Sequence, residues 1–247
     1  MQVQTGANVG IGGFIITGSV PMHVLIRAIG PSLAPGVPDA LADTVLELHG
    51  PGAFITITND NWRDDPVQEA AIIATGIPPT NNLESAIDTT LNPGAYTAII
   101  SGKNNATGVG LVEVYDLSQA VPAKLANIST RAFVSTGDHV VIAGFILGNH
   151  NGDDRIAVRG LGPSLTAAGV PNALADPTLE LRNNNGVLVA SNNDWQNGPP
   201  IPPDLQPSNP LESAIDATLP PGLYTALLAG VNGGTGVGLV EVYDLVP

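Results

Sequence analysis

Two stretches of this chain are nearly the same stretch. Glu84–Leu117 reads ESAIDTTLNPGAYTAIISGKNNATGVGLVEVYDL and Glu212–Leu245 reads ESAIDATLPPGLYTALLAGVNGGTGVGLVEVYDL, identical at 25 of 34 positions without a gap. Upstream, IRAIGPSLAPGVPDALAD (Ile26–Asp43) answers VRGLGPSLTAAGVPNALAD (Val158–Asp176) with one inserted residue, and VGIGGFI (Val9–Ile15) answers VVIAGFI (Val140–Ile146). A period of about 130 residues is far longer than a solenoid unit and matches a whole domain. The expectation is a duplicated domain: residues 1–117, a linker and candidate extra strand at 118–129, and residues 130–247. Within that joint Ser118–Lys124 reads as the linker.

Each copy has the texture of strands. Val24, Ile26 and Ala28 alternate with Leu25, Arg27 and Ile29; Leu46 and Leu48 flank Glu47; Tyr96, Ala98 and Ile100 alternate with Thr97, Ile99 and Ser101. A period of two with β-branched enrichment marks half-buried strands. Asn92-Pro93-Gly94, Pro220-Pro221-Gly222, Gly50-Pro51-Gly52 and Asn185-Gly186 supply the turns between them. The fold expected is all-β, two tandem homologous domains of β-sandwich or jelly-roll type. Pro66–Ala74 (PVQEAAIIA) is the one stretch with helical character. Its counterpart is shorter and rich in proline, which cannot sustain a helix interior, so a helix there is expected as a decoration on a surface loop.

Composition narrows the partners. Eight Lys and Arg against 22 Asp and Glu leave a net charge of −14. Phosphate binding needs clustered cations, so nucleic acid and anionic membranes are not expected partners. The chain has no cysteine, which removes disulfides, thiolate metal sites and a thiol nucleophile together. No apolar run approaches the roughly 20 residues of a membrane helix. The opening Met-Gln-Val-Gln-Thr-Gly lacks the form of a signal peptide, so an exported protein is expected to appear here as a mature or excised piece.

The back half of each copy carries an ordered pattern: Leu46-Glu47-Leu48, then Asn59-Asp60-Asn61-Trp62, Ser85-Ala86-Ile87, Pro93-Gly94, Tyr96-Thr97-Ala98 and a glycine-rich closing strand from Thr107 to Asp116, with counterparts from Leu179 to Asp244. In order and spacing this resembles the pre-peptidase C-terminal family of bacterial secreted β-sandwiches, over a little more than half of each domain. The front half looks like modules repeated in large exported proteins of environmental bacteria. The resemblance implies an extracellular or cell-surface location and an accessory role: adhesion, attachment to polysaccharide or matrix, or spacing.

Duplication also tests for chemistry, since a site essential to the module is expected in both copies. His23, His49, His139 and His150 all fall opposite a different residue, which removes a shared histidine base or zinc site. The aromatics do pair: Trp62 with Trp195, Tyr96 with Tyr224, Tyr115 with Tyr243, Phe14 with Phe145. Paired aromatics in strands are core or corner residues more often than sugar-stacking platforms, and Trp62 and Trp195 are the residues to watch should a glycan bind. Arg27 and Arg159 interrupt apolar strands and call for a partner among the matched carboxylates Asp43/Asp176, Glu47/Glu180, Glu84/Glu212, Asp88/Asp216, Glu113/Glu241 and Asp116/Asp244. No catalytic residue is assigned.

Calcium is the cofactor candidate. Asn59, Asp60 and Asn61, and in the second copy Asn192, Asn193 and Asp194, offer hard oxygens, to which Asp116 and Asp244 could add from the closing strand; calcium takes roughly six to eight. Turn chemistry explains the same residues more simply, and the acid moves within the motif between Asp60 and Asp194. Gly234, Gly236 and Gly238 enter a strand and not a helix, Ser32 and Ser164 sit in Gly-Pro-Ser, and neither pattern is a nucleotide loop or a nucleophile elbow.

One asymmetry remains. KLANISTRAF (Lys124–Phe133) alternates like a strand ahead of the second copy, whereas the first copy begins only at the equivalent of Ala132. If that segment is a strand of the second domain, the first presents an open edge, and open edges recruit strands from neighbouring copies. The plainer alternative is a dispensable strand. The reading as a whole is a non-catalytic structural or adhesive module, with a carbohydrate-binding module as the first rival and a hydrolytic enzyme as the second.

Overall fold

The structure, a computed structural model, describes residues 1–118, 121–148 and 152–246. It is all-β, built from antiparallel sheets, and its contacts divide it into two compact units, Met1–Ala126 and Asn127–Pro247. The boundary falls inside the stretch expected to be a linker and extra strand, and the last two linker residues, Ala123 and Lys124, already belong to a strand. Gln119 and Ala120 of that linker, and His150, lie outside the described residues.

The first unit runs β1 (Gln2–Val3), β2 (Gly10–Gly18), β3 (Met22–Ile29), β4 (Thr44–His49), β5 (Ile57–Asn59), α1 (Pro66–Ala74), β6 (Ser85–Leu91), β7 (Gly94–Gly102), β8 (Gly108–Val109) and β9 (Leu111–Asp116). Strands β2, β7, β4 and β5 pair in that order as one sheet. Strands β6, β3 and β9 form the other, and β1 pairs with β8. The second unit repeats the plan with β10 (Ala123–Val134), β11 (Val141–Leu147), β12 (Asp154–Leu161), β13 (Pro177–Asn183), β14 (Leu188–Asn192), β15 (Ser213–Leu219), β16 (Gly222–Gly230) and β17 (Gly236–Asp244). Here the sheets are β11-β16-β13-β14 and β15-β12-β17-β10.

Alternation decides which side chains meet. Leu46 and Leu48 on β4, Ala98 and Ile100 on β7, and Val24, Ile26 and Ala28 on β3 are fully buried. In the second unit a Cβ added to Gly160 of β12 would strike Leu179 and Leu228 of the opposite sheet, and one on Gly238 of β17 would strike Leu228. The two sheets of that unit therefore face each other across a close-packed core. Gly30 and Gly162, which open the Gly-Pro-Ser turns, lie so near the carbonyl oxygens of Leu41 and Leu174 that no other residue fits.

Helix α1 forms over the residues with helical character. Asp65 caps it, its Oδ1 accepting from the amides of Val67 (2.8 Å) and Gln68 (3.1 Å), and Pro66 occupies the first turn where a missing N–H costs nothing. It is more than a decoration. Ile72 is fully buried against Trp62, Leu25 and Ala86, so the helix closes one end of the first core. The second unit has two short 3₁₀ turns there, Trp195–Asn197 and Pro203–Leu205, with Ile201 buried between them.

Candidate functional site

The tryptophans follow the Asx turns, and those turns are tied down by their own side chains. Asn59 accepts from the amide of Ala86 (2.9 Å) through Oδ1 and donates to the carbonyl of Asn61 (3.2 Å). Asn192 repeats this with Ala214 (2.9 Å) and the carbonyl of Asp194 (3.1 Å). Each indole N–H then donates to a loop carbonyl, Trp62 to Asn81 (3.0 Å) and Trp195 to Asn209 (3.1 Å). Trp62 is 1% exposed, with the Arg63 guanidinium 4.2 Å above its ring, and belongs to the core. That corrects Trp62 as a sugar platform, since its faces are occupied. Trp195 is only partly buried, because the proline-rich loop replaces α1.

The calcium candidates separate into different places. Asp60 Oδ2 accepts from the Lys103 ammonium at 2.5 Å, and Asn61 donates to Asp64 (3.0 Å). Burial raises the pKa of nearby Asp43, an effect Lys103 opposes and Asp60 reinforces. In the second unit the carbonyl of Asn193 accepts from Ser213 (2.9 Å) and Asp194 Oδ2 from Asn197 (3.3 Å). Asp116 does not join the first set. Ala86, whose amide Asn59 holds, lies opposite Arg27, while Asp116 lies opposite Val24 on the far strand of the sheet. Three residues along and two strands across is roughly 14 Å. Asp244, opposite Ile156 where Ala214 is opposite Arg159, is displaced in the same way. Asp116 and Asp244 instead accept from the amides two residues on, Ser118 (2.8 Å) and Val246 (2.9 Å).

The matched charges form two recurring clusters. Arg27 grips Glu113 through Nε (2.9 Å) and Nη2 (2.6 Å), and also donates to the Tyr115 hydroxyl (2.9 Å) and the Ile77 carbonyl (2.6 Å). Arg159, Glu241, Tyr243 and the Leu205 carbonyl repeat it. The partner that these arginines needed is thus Glu113 or Glu241, the residue directly opposite across the sheet. Burial and the adjoining carboxylate push the Tyr243 phenol up to about 12. The cavity beside Arg27, lined by Ser32, Leu111 and Glu113 among others, holds about 220 Å³, below the roughly 300 Å³ at which ordinary small-molecule sites begin.

The second cluster gives no sequence signal beyond its pairing. Glu84, fully buried, accepts from the Ser32 amide (3.0 Å) and hydroxyl, the Gly30 amide (3.4 Å) and the Asn81 amide (3.1 Å). Glu212 does the same for Gly162 (3.1 Å), Ser164 (2.9 Å to the amide) and Asn209 (3.4 Å). One carboxylate thereby pins the Gly-Pro-Ser turn to the loop behind the tryptophan, and the Gly-Pro-Ser motif is explained as a turn for a buried anion.

Histidine turns out to occupy arginine positions. His23 bonds Asp88 (3.0 Å) where Arg155 grips Asp216 with two bonds (3.0 and 2.9 Å), and His49 meets Glu47 (3.1 Å) where Arg182 meets Glu180 (2.6 Å). Among the described residues no three His, Asp or Glu side chains converge as a metal-holding group, and no helix is long and apolar enough to cross a membrane. Comparison of the sequence with protein-family models and with curated proteins returned no match.

Proposed function

We propose that this chain is a non-catalytic structural or adhesive part of an exported bacterial protein, working at the cell surface or beyond it. The observation carrying this reading is the engagement of the matched polar groups. Arg27, Glu113 and Tyr115 bind one another, Glu84 binds backbone amides, and Asp88 holds His23 through its carboxylate and Gln68 through its amide. General acid–base work needs a proton-transferring group within reach of a substrate, and these groups are used in holding strands and turns together. The acidic balance of the chain suits an extracellular setting, and the resemblance to pre-peptidase C-terminal domains points the same way. The reading is tested by incubating the full chain with generic ester, glycoside and peptide substrates and, in parallel, with extracellular polysaccharide. Turnover by the purified chain that Glu113→Gln or Glu241→Gln abolishes while leaving the melting curve intact would overturn it.

One observation favours a second reading. Trp195, unlike Trp62, is only half-buried and stands beside a loop rich in proline, and a tryptophan ring that reaches the surface can stack on a sugar face. Polysaccharide binding that is lost in Trp195→Ala and retained in Trp62→Phe supports a carbohydrate-binding module.

A further inference from the structure

Asparagine is a chemically labile residue, most of all ahead of glycine, whose missing side chain lets its backbone nitrogen reach the asparagine amide carbon. The chain has four Asn-Gly pairs, all in its second half. Asn151-Gly152 begins outside the described residues; the fold treats the other three differently.

Two are restrained. The Gly186 amide donates to the Asn183 carbonyl (2.9 Å) in the turn between β13 and β14, and the Gly198 amide to the Trp195 carbonyl (3.3 Å), with Asn197 Nδ2 donating to Asp194 (3.3 Å) as well. A nitrogen whose hydrogen is held in this way must lose that bond before it can attack. The third pair, Asn232-Gly233, lies in the loop between β16 and β17. In the 3₁₀ turns Trp195–Asn197 and Pro203–Leu205 the third residue donates back to the residue before the turn, Asn197 to Asp194 (2.9 Å) and Leu205 to Pro202 (2.8 Å). In the turn Val231–Gly233 the middle residue, Asn232, is left-handed, with φ 52° and ψ 30°. Among the described residues the Gly233 amide reaches no such acceptor, and the Asn232 side chain has no hydrogen-bond partner. Asn232, Gly233 and Gly234 are all exposed.

We infer that Asn232 is a site of spontaneous modification, at which the chain converts asparagine to isoaspartate as it ages. The Gly233 nitrogen attacks Cγ of Asn232 and a C–N bond forms. The proton that this nitrogen gives up to solvent is matched by the one that the side-chain nitrogen takes up as it leaves as ammonia, closing a succinimide ring. Water then opens the ring: at the backbone carbonyl it leaves isoaspartate, at the side-chain carbonyl aspartate. Either product adds one negative charge. Isoaspartate also puts an extra carbon into the main chain of a loop with no slack. The Gly234 amide donates to Val231 (3.0 Å), the Val231 amide donates to Asp176 (2.9 Å), and even a Cβ on Gly230 would strike the Gly234 carbonyl. The first unit bends its matching loop in the same way, with Asn104 and Asn105 at φ 55° and 61°. There the nitrogen behind Asn104 belongs to a residue with a side chain, which hinders ring closure, so the first unit is spared.

The test is prolonged incubation of the purified full chain in mildly alkaline buffer, followed by proteolytic digestion and mass spectrometry, with a urea-unfolded sample in parallel. The peptide holding Asn232 should gain about 1 Da, as NH₂ gives way to a hydroxyl, about fivefold or more faster than those holding Asn185 and Asn197. In urea the three rates should converge, and the Asn104 peptide should lag in both samples. Isoaspartyl methyltransferase should label the aged chain, and the aged chain should melt lower. Asn232→Gly, which accepts the left-handed turn without strain, should keep its melting curve on ageing and lose that label. Faster conversion at Asn185 or Asn197 in the folded chain overturns the site. The same lead for Asn232 in urea as in the folded chain overturns the fold as its cause, and an aged chain that melts unchanged overturns the distortion of the loop.

Discussion

The carboxylate of Glu84 accepts hydrogen bonds from both the amide and the hydroxyl of Ser32, 52 residues earlier in the chain, and Glu212 does the same with Ser164. A buried anion is costly unless donors surround it, and here a turn and a loop meet on one side chain. Glu84→Gln puts an NH₂ where N–H donors point. It should destabilise the first unit by about 2–4 kcal/mol, with Ser32→Ala costing about 1 kcal/mol, both read from urea unfolding. Glu212→Gln should affect the second unit in the same way.

Tyr243 predicts an alkaline limit. Its folded pKa of about 12 exceeds the ordinary 10.0, so between those values the unfolded chain gives up a proton that the folded chain keeps. Fewer protons bound in the unfolded state means that stability is intact below pH 10 and is lost as pH rises towards 12. Thermal melts across that interval should fall for the wild type and fall less steeply for Tyr243→Phe, since Tyr96 and Tyr115 are shifted the same way.

His23 stands where the second unit has Arg155. His23→Arg should recreate the two-bonded grip on Asp88 and stabilise the first unit by about 0.3–1 kcal/mol at neutral pH, the gain shrinking in high salt. Unfolding midpoints at two salt concentrations check this.

Unequal enclosure of the tryptophans predicts unequal losses. Trp62→Ala should cost the first unit about 3–5 kcal/mol by opening a cavity in its core. Trp195→Ala, partly exposed to begin with, should cost about 1–3 kcal/mol. Intrinsic fluorescence gives a companion readout, with Trp195 the more readily quenched by iodide.

Calcium added to chelator-treated protein should leave heat and melting temperature unchanged, because Lys103 already supplies the cation that Asp60 faces. A melting temperature that climbs with calcium would make the Asx turn a metal site.

How far the amino-acid order can be read depends on the range of the interactions. Alternation such as that of Val24–Ile29 is local and marks β3 directly; the helical character of Pro66–Ala74 is local too, but its burial of Ile72 in the core is not. The strand ahead of the second copy is visible in Lys124–Phe133 for the same reason. Sheet register is not local. That Arg27 faces Glu113, or that Asp116 lies a sheet's width from Asn59, depends on which strands pair and at what offset, and no spacing along the chain encodes it. The contrast between Trp62 and Trp195 is hidden in the same way, because it is decided by the segments that follow, a helix with a buried Ile72 in one case and a proline-rich loop in the other.

That last difference has its own consequence. The stretch between the Asx turn and the buried glutamate is nine helical residues in one copy and two short turns in the other, on strand frameworks that otherwise correspond. The scaffold thus treats this insertion as exchangeable cargo. A foreign loop grafted between Trp195 and Asn209 should leave the surrounding strands undisturbed provided that it keeps Ile201, buried between the two turns, and the Leu205 carbonyl that Arg159 holds.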